Sequence, residues 1–419
     1  MKRLEGVQLK VWIIAHFVLF PGEPGINRFH YLAELLSSHS YQVTLFTSRF
    51  SHKFKKYRNQ HEILSKLSYS VVLIDEPQYD SNLGFQRVKA HMRFGRNLFK
   101  ALISQKEKPD CLLVAYPSIS AAKAATNYAL RTNIPYIVDV QDWWPEAFEI
   151  VFKNDFLRAV YRRAIKLSNL YLRSIFSNAS ALIAVSKTYL EKSLSMSKGK
   201  NNLKIKDIIP LGVDIEYFDR VAQSYKRLQD GKFRLVYIGQ VGPSYDLETV
   251  IRASVILKEK IPNFEVYIVG DGTETNKLKA LTKKLRLQEI IHFIGFVPYE
   301  EMIKYLVEAD VALNVIKQKW IFLPNKVFDY CAAGLPVVNS IEKDFGEYVR
   351  SYSMGINYKA GNVSQFVQAV MKLYLSPDLR ESYGRNARKF VEEMGDRKKG
   401  YLKIVDILER VANIEHRRC

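Results

Sequence analysis

The residues whose types and spacing point most directly to chemistry lie in PNKVFDYCAAGLPVV, residues 324–338. Val311, Leu313 and Val315 alternate like a strand. Pro324 then stands where a helix can begin, and Gly334 and Pro336 stop the run VFDYCAA. A helix starting here would turn the backbone N–H groups of Asn325, Lys326 and Val327 toward an anion, assisted by the helix dipole and the Lys326 ammonium. One turn on, Asp329 has the chemistry to accept hydrogen bonds from a vicinal diol such as ribose. The same residues also fit an ordinary helix with a solvated lysine and a capping aspartate. Further along, Gly239-Gln-Val-Gly242-Pro-Ser-Tyr-Asp246 reads as a turn between a strand and a helix starting near Leu247, its glycines letting backbone approach a phosphate and Asp246 placed to cap. Gly270, Asp271 and Gly272 close a second strand, and Gly295 with Phe296 closes a third; plain turn chemistry is the competing reading for all of them. In the other half, Asp139, Asp142 and Glu146 surround Trp143, Trp144 and Pro145, a grouping suited to orienting sugar hydroxyls and excluding water, although the two tryptophans fit equally as core anchors.

These groups need a scaffold, and the chain supplies alternating strand and helix signals. KVWIIAHFV, YQVTLFTS, SVVLID, CLLVAYP, YIVDVQD and ALIAVS read as buried strands in the first half, with helices such as 29–37 and 118–130 between them. FRLVYIG, FEVYIVG, IIHFIG, VALNVI and PVVNSI play the same part in the second. The pattern predicts an α/β protein with two Rossmann-like domains of parallel sheet, the boundary falling near Pro210 to Tyr225. A chain of 419 residues suits two such cores.

Eight segments occur in an order that resembles the retaining, nucleotide-sugar-dependent glycosyltransferases of family 4, with the GT-B fold: VLFPGEPGINR (18–28), DVQDWWPEAF (139–148), ALIAVSK (181–187), IIPLGVDIEYF (208–218), LVYIGQVGPSYDLETVI (235–251), VYIVGDGTE (266–274), IHFIGFVPYEEM (291–302) and PNKVFDY (324–330). The resemblance covers nearly the whole chain. It implies an acceptor-binding domain over 1–212, a nucleotide-sugar domain over 213–396, and a last helix, 397–419, crossing back to the first domain, with chemistry in a cleft where the two halves face each other. It implies donor contacts at Gly22, Gly25, Gly239, Gly242, Asp271, Gly272, Phe296 near the base, Asn325, Lys326, Val327 and Asp329, with Lys326 and Asp142 as the catalytic pair. No cofactor or metal is implied beyond the nucleoside-diphosphate sugar itself. Two departures stand out. Many family members carry a Glu eight residues before the second one, whereas this chain has Ile321 and Asp329; Gln240 and Tyr245 replace the Arg and Lys that neutralise the diphosphate. Lys326 must then carry more of that charge, with Arg28 reaching across the cleft. Where relatives place a His-Asp pair, Gln141 and Asp142 stand. The variant pattern resembles the branch acting in surface-polysaccharide assembly.

Charge points to a partner. The net charge is +20, and residues 1–210 hold 31 Lys and Arg against 16 Asp and Glu, a net of +15. RFSHKFKKYR (49–58), QRVKAHMRFGRNLFK (86–100) and KNDFLRAVYRRAIK (153–166) carry most of it. In the last, Arg158, Arg162 and Lys166 recur every four residues beside an apolar stripe, predicting a basic amphipathic helix on an anionic membrane surface, or a surface helix with solvated charge. The longest apolar stretches, such as VWIIA, fall far short of the roughly 20 residues a spanning helix needs. No signal peptide is expected, and three scattered cysteines, Cys111, Cys331 and Cys419, predict reduced thiols in the cytoplasm. The expected partners are a nucleotide sugar, a saccharide or lipid-linked saccharide acceptor and the inner membrane face. Two rival readings remain at this point: a nucleotide-sugar epimerase of the same fold, and a nucleic-acid binder, for which no recognised motif accompanies the charge.

Overall fold

The structure, a computed structural model, describes residues 8–21, 23, 25, 28–58, 64–81, 84–144, 159, 163, 172–197, 205–317 and 322–416. The chain divides into two compact units, one of residues 1–209 with 401–419 and one of residues 210–400.

The first unit is built on β1 (Lys10–Ile14), β2 (Gln42–Ser48), β5 (Ser70–Ile74), β6 (Cys111–Tyr116), β7 (Tyr136–Val140), β8 (Ala181–Ala184) and β9 (Ile205–Ile208), with a small antiparallel hairpin of β3 (Phe50–Ser51) and β4 (Lys56–Tyr57). The large sheet is parallel, in the order β5-β2-β1-β6-β7-β8-β9. Strands covered on both faces read as unbroken apolar runs, and Val11 to Ile14 is one. Val11 and Ile13 face a core shared with Phe29, Leu32 and Leu36 of α1 (Arg28–Ser38) and with Tyr401, Ile404, Leu408 and Val411 near the end of the chain. Trp12 points the opposite way, its ring 5.0 Å from Phe46 and 5.5 Å from Tyr128. Helices α2 (Phe85–Ser104) and α3 (Ile119–Thr132) pack together so closely that a Cβ on Gly95 would meet the Ser120 carbonyl oxygen at 2.7 Å. Helix α4 (Lys187–Met196) is capped by the Ser186 hydroxyl.

The second unit holds β10 (Phe233–Ile238), β11 (Phe264–Val269), β12 (Ile291–Gly295), β13 (Val311–Asn314), β14 (Val337–Asn339) and β15 (Gly355–Asn357), all parallel, in the order β12-β11-β10-β13-β14-β15. Numbered within the unit this is 3-2-1-4-5-6, the doubly wound order that opens a crevice beyond the strand ends where the order reverses, here between β10 and β13. Leu235 and Tyr237 face one core and Val236 and Ile238 the other, the period of two expected of a central strand. Its helices are α5 (Ile215–Ala222), α6 (Leu247–Lys260), α7 (Thr275–Lys284), α8 (Tyr299–Glu308), α9 (Lys326–Ala332), α10 (Phe345–Ser351), α11 (Val363–Leu375), α12 (Pro377–Phe390) and α13 (Arg397–His416), the last continuing into the first unit's core at Tyr401. No helix among the described residues is long and apolar enough to cross a membrane. The hairpin and the strands β9 and β15 were not foreseen in the sequence: β9 interrupts its apolar residues with Lys206 and Asp207, and β15 is three residues beginning with glycine.

Candidate active site

At the carboxyl end of the second unit's sheet the backbones of three strands close on one another. The Gly239 N–H donates to the Val269 carbonyl at 2.9 Å, Gly270 N–H to Gly295 at 2.7 Å, and Val241 N–H to Asp271 at 2.9 Å. A Cβ on Gly270 would lie 1.9 Å from the Gly239 carbonyl oxygen, and φ there is 133°, so only glycine fits. On the other side of β10, Asp246 N–H bonds the Val315 carbonyl at 3.0 Å and Lys317 N–H bonds Ser244 at 2.9 Å, tying the 239–246 turn to the end of β13. The turn therefore borders the crevice. Asp246 does not cap α6 as expected: its buried carboxylate accepts the Thr249 hydroxyl at 2.8 Å, the Gly361 N–H at 2.7 Å and the Tyr358 hydroxyl at 3.2 Å, which leaves no bond to the helix amides.

Lys326 opens α9 beside this turn. A Cβ on Gly239 would sit 3.6 Å from its Cδ and 3.8 Å from its Nζ. The ammonium nitrogen lies 3.8 Å from the centre of the Tyr237 ring and 4.7 Å from that of Tyr245, buried and with no hydrogen-bond partner. Burial pushes its pKa well below that of an ordinary lysine. Asn325 Oδ1 is likewise buried without a partner. Unpaired buried polar atoms are rare and need a reason; two consecutive residues supply them here. Tyr245 thus forms one wall of the box around the Lys326 ammonium. Val327 departs from the expectation: its N–H donates to the Pro324 carbonyl at 3.2 Å, because the segment enters the helix through a tight turn that uses this donor.

Asp329, one turn on, is buried and its Oδ1 accepts the Tyr299 hydroxyl at 2.7 Å. Burial raises its pKa to about 6 against the opposing influence of Tyr299 and of Arg397. Tyr330 fixes the helix under the sheet, its hydroxyl taking the Ile238 N–H at 2.9 Å and giving to the Leu313 carbonyl at 3.0 Å, which pins α9 across β10 and β13. Phe296 leaves β12 with 73% of its surface exposed. Asp271 is exposed, its carboxylate folded back on the Gly272 N–H at 2.7 Å and the Thr275 hydroxyl at 2.6 Å, which lowers its pKa. Gly272 passes so near Val241 that a Cβ would come within 2.2 Å of that carbonyl oxygen, whereas Gly242 has only the Gln240 side chain nearby, at 3.9 Å.

In the first unit, Asp142 follows β7 and is fully engaged: Oδ1 accepts the Trp143 N–H at 2.7 Å and the Tyr189 hydroxyl at 3.2 Å, and Oδ2 the Trp144 indole N–H at 3.1 Å. Trp143 is a core anchor, stacked on Phe176 at 5.8 Å; Trp144 is half-buried and stacks with His91 at 5.9 Å, with the Arg87 guanidinium 4.8 Å from its ring. Asp139 and Arg28 depart from the expectation and pair with each other. Both are buried and bound to each other by Arg28 Nε to Oδ2 at 2.7 Å and a second guanidinium nitrogen to Oδ1 at 3.1 Å, with the Tyr401 ring 4.8 Å away. An arginine held on two bonds in the core has no reach left for a diphosphate. Gly25 has φ of 131°, with the Lys53 ammonium 3.6 Å from where its Cβ would stand. Gly22, Glu146, Arg158, Arg162, Lys166 and Ile321 lie outside the described residues.

The sequence reading passed over Tyr237, Tyr299 and the group around His16, at the point where the first sheet's order reverses. His16 Nδ1 is 2.7 Å from the Ser118 hydroxyl and Nε2 is 2.9 Å from Glu76 Oε1, all buried, while Glu76 Oε2 has no partner. A histidine directly after the first strand was the available signal.

Comparisons with known proteins agree with this architecture. Residues 25–199 match the glycosyl transferase 4-like domain and residues 222–390 match glycosyl transferases group 1. The uncharacterized glycosyltransferase MJ1069 of Methanocaldococcus jannaschii is 28% identical over 59% of this chain and 64% of its own length. The amylovoran biosynthesis glycosyltransferase AmsK of Erwinia amylovora is 24% identical over 57% of this chain and 58% of its own. The chain thus spans 58 to 64% of the length of these curated relatives. Among solved structures, Anabaena Alr3699/HepE in complex with UDP superposes with a TM-score of 0.68 at 14% identity, covering 96% of this chain and 100% of that one, a likeness of fold. With both halves matched in order and each unit built on a doubly wound parallel sheet, the chain belongs to the family 4-like glycosyltransferases of GT-B fold.

Proposed function

We propose that the protein transfers a sugar from a nucleoside-diphosphate sugar to a saccharide acceptor carried on a lipid, with retention at the anomeric carbon and without a metal, in the assembly of a cell-surface polysaccharide or glycolipid. The observation that carries this reading is the buried, unpartnered Lys326 ammonium beside the glycine turn at the crevice of the second sheet. An unpaired cation there is suited to a diphosphate, and its effect is largest as the bond from the anomeric carbon to the phosphate oxygen breaks and negative charge grows on the leaving group. Asn325, Gly239, Gly242, Asp271 and Gly272 border the same region, Asp329 takes the ribose hydroxyls and Phe296 lies against the base. The solved structure of similar fold binds UDP, which supports a uridine nucleotide as the first donor to test. Asp142 acts on the acceptor side, through the tryptophan loop it orders. The likeness to a protein of amylovoran biosynthesis supports a polysaccharide pathway, and the net +15 of residues 1–210 supports residence on the anionic cytoplasmic face of a membrane.

A panel of nucleotide sugars tests the donor by thermal shift, since a ligand of the native state raises stability by mass action. Release of nucleoside diphosphate that depends on an added glycolipid, with the product's anomeric configuration unchanged by NMR, is the expected outcome. An epimerised sugar nucleotide formed without acceptor would replace transfer by epimerisation.

A further inference from the structure

Helix α2 contains no acidic residue, and its outer face is unusual in composition. Phe85 is 83% exposed, Met92 67% and Val88 54%. Lys89, Arg93, Arg96 and Lys100 are also exposed. At 3.6 residues per turn, the apolar three fall in a sector of roughly 60° and the four cations in the neighbouring one of roughly 60°. The opposite side, with Ala90, Phe94, Leu98 and Leu102, is buried in the unit. The β3–β4 hairpin continues the same chemistry. Phe50 at its base, Tyr79 and Ala90 of α2 form one small core, so hairpin and helix are braced together. At its tip Phe54 is 41% exposed and on β4 Tyr57 is 40% exposed, with the Lys53 and Lys56 ammonium groups 6.0 and 5.9 Å from the Phe54 ring.

Exposed aromatic and aliphatic side chains beside a cationic row, on a rigid base, are what a bilayer interface with anionic headgroups takes up. A second copy of the same face would bring cations against cations with no acid on the helix to offset them, so self-association is disfavoured by the same residues. We propose that the outer face of α2 and the tip of the β3–β4 hairpin form the surface on which the protein lies on an anionic bilayer, Phe85, Val88, Met92 and Phe54 entering the headgroup layer and Lys89, Arg93, Arg96 and Lys100 meeting lipid phosphates. This rests on the membrane reading above and gives it a surface other than the 153–166 segment.

The test uses the full chain, sedimented with phosphatidylglycerol–phosphatidylcholine vesicles and with pure phosphatidylcholine vesicles. The wild type should pellet with the anionic vesicles and be released by salt. Joint replacement Lys89→Gln, Arg93→Gln, Arg96→Gln and Lys100→Gln should weaken binding by about several hundredfold, as each cation near such a surface counts for about fivefold. Phe85→Ser with Met92→Ser should weaken it about tenfold while leaving the salt dependence in place. Both variants should keep the wild-type thermal midpoint and nucleotide-induced shift, which separates a lost surface from a lost fold. Sedimentation of both variants equal to wild type overturns the assignment of this face and leaves the membrane reading intact. A wild type that ignores anionic vesicles, or that binds a single-stranded oligonucleotide instead, overturns both.

Discussion

The Tyr299 hydroxyl donates to Asp329 Oδ1 at 2.7 Å, so one oxygen of the buried carboxylate in the candidate donor site is already oriented before any ligand arrives. Burial nonetheless holds this carboxyl at about 6, above the ordinary aspartate value. A raised folded pKa makes the ionised form the costly one: stability is greatest below the unfolded pKa near 4 and declines as pH rises to about 6, by roughly 3 kcal/mol. Asp329→Asn should therefore match or exceed the wild-type melting temperature at pH 7 while binding nucleoside diphosphate at least tenfold more weakly. In the wild type, affinity should rise with pH up to about 6 and then level. Calorimetric titration at pH 5 and pH 7 reads both; unchanged affinity in the variant removes Asp329 from the site.

Lys326 titrates in the opposite sense. Its pKa is depressed by burial, so the folded chain is penalised as pH falls below the unfolded lysine value and the ammonium must be carried inside. Lys326→Met, an apolar chain of similar length between Tyr237 and Tyr245, should raise the melting temperature at neutral pH and lower nucleoside-diphosphate affinity about tenfold to a hundredfold, the range of a charge-assisted bond. Wild-type affinity should also fall as pH rises through the depressed lysine pKa and the ammonium is lost, at lower pH than for an exposed lysine. A variant that binds the diphosphate normally would show that the boxed cation is not its partner.

Gly270→Ala places a methyl group 1.9 Å from the Gly239 carbonyl oxygen at a backbone angle that side chains avoid. It should cost at least about 2 kcal/mol and abolish nucleotide binding. Gly231→Ala, at φ of 69° with nothing within 4 Å, should cost about 1 kcal/mol and leave binding alone. Urea melts of the two, side by side, check the contrast.

Arg28→Met strands the Asp139 carboxylate in the core of the first unit and should destabilise by about 3 to 5 kcal/mol. Adding Asp139→Leu should recover most of the loss, a coupling that a double-mutant cycle by chemical denaturation measures directly. A diphosphate-binding arginine would give no such recovery.

Asp142→Asn exchanges one of the acceptor oxygens that hold the Trp143 amide, the Trp144 indole and the Tyr189 hydroxyl for an NH2 group. Turnover should fall at least tenfold with donor affinity near wild type. Steady-state kinetics with varied donor and fixed acceptor would expose the reverse pattern, lost donor affinity with normal turnover at saturation, and so remove the acceptor-side role.

Much of the architecture was legible because each strand of a doubly wound sheet is covered on both faces and declares itself as an apolar run ending in glycine, as VYIVG and LVYIG do. The start of α9 at Lys326 and its end before Gly334 were readable for the same local reasons. The box around Lys326 was not, since Tyr237 lies in β10, Tyr245 in the following turn and the lysine some 80 residues away; only the strand order brings them together. Arg28 and Asp139 misled in the other direction. Charged residues next to a glycine-rich loop and a tryptophan pair look like a site from the sequence, and a burial of nearly zero exposure with mutual pairing was visible only in three dimensions.

The residues from Tyr401 to Val411 that complete the first unit's core emerge from the ribosome after the whole second unit. During synthesis the sheet of β1 to β9 must therefore wait, its α1 side lacking Tyr401, Ile404 and Leu408, while residues 210–400 already contain everything their own sheet needs. The unit that holds β1 is the last to mature, and a nascent chain arrested before residue 400 would present that uncovered apolar face to chaperones. Timing of biogenesis is thus written into the return of a single helix.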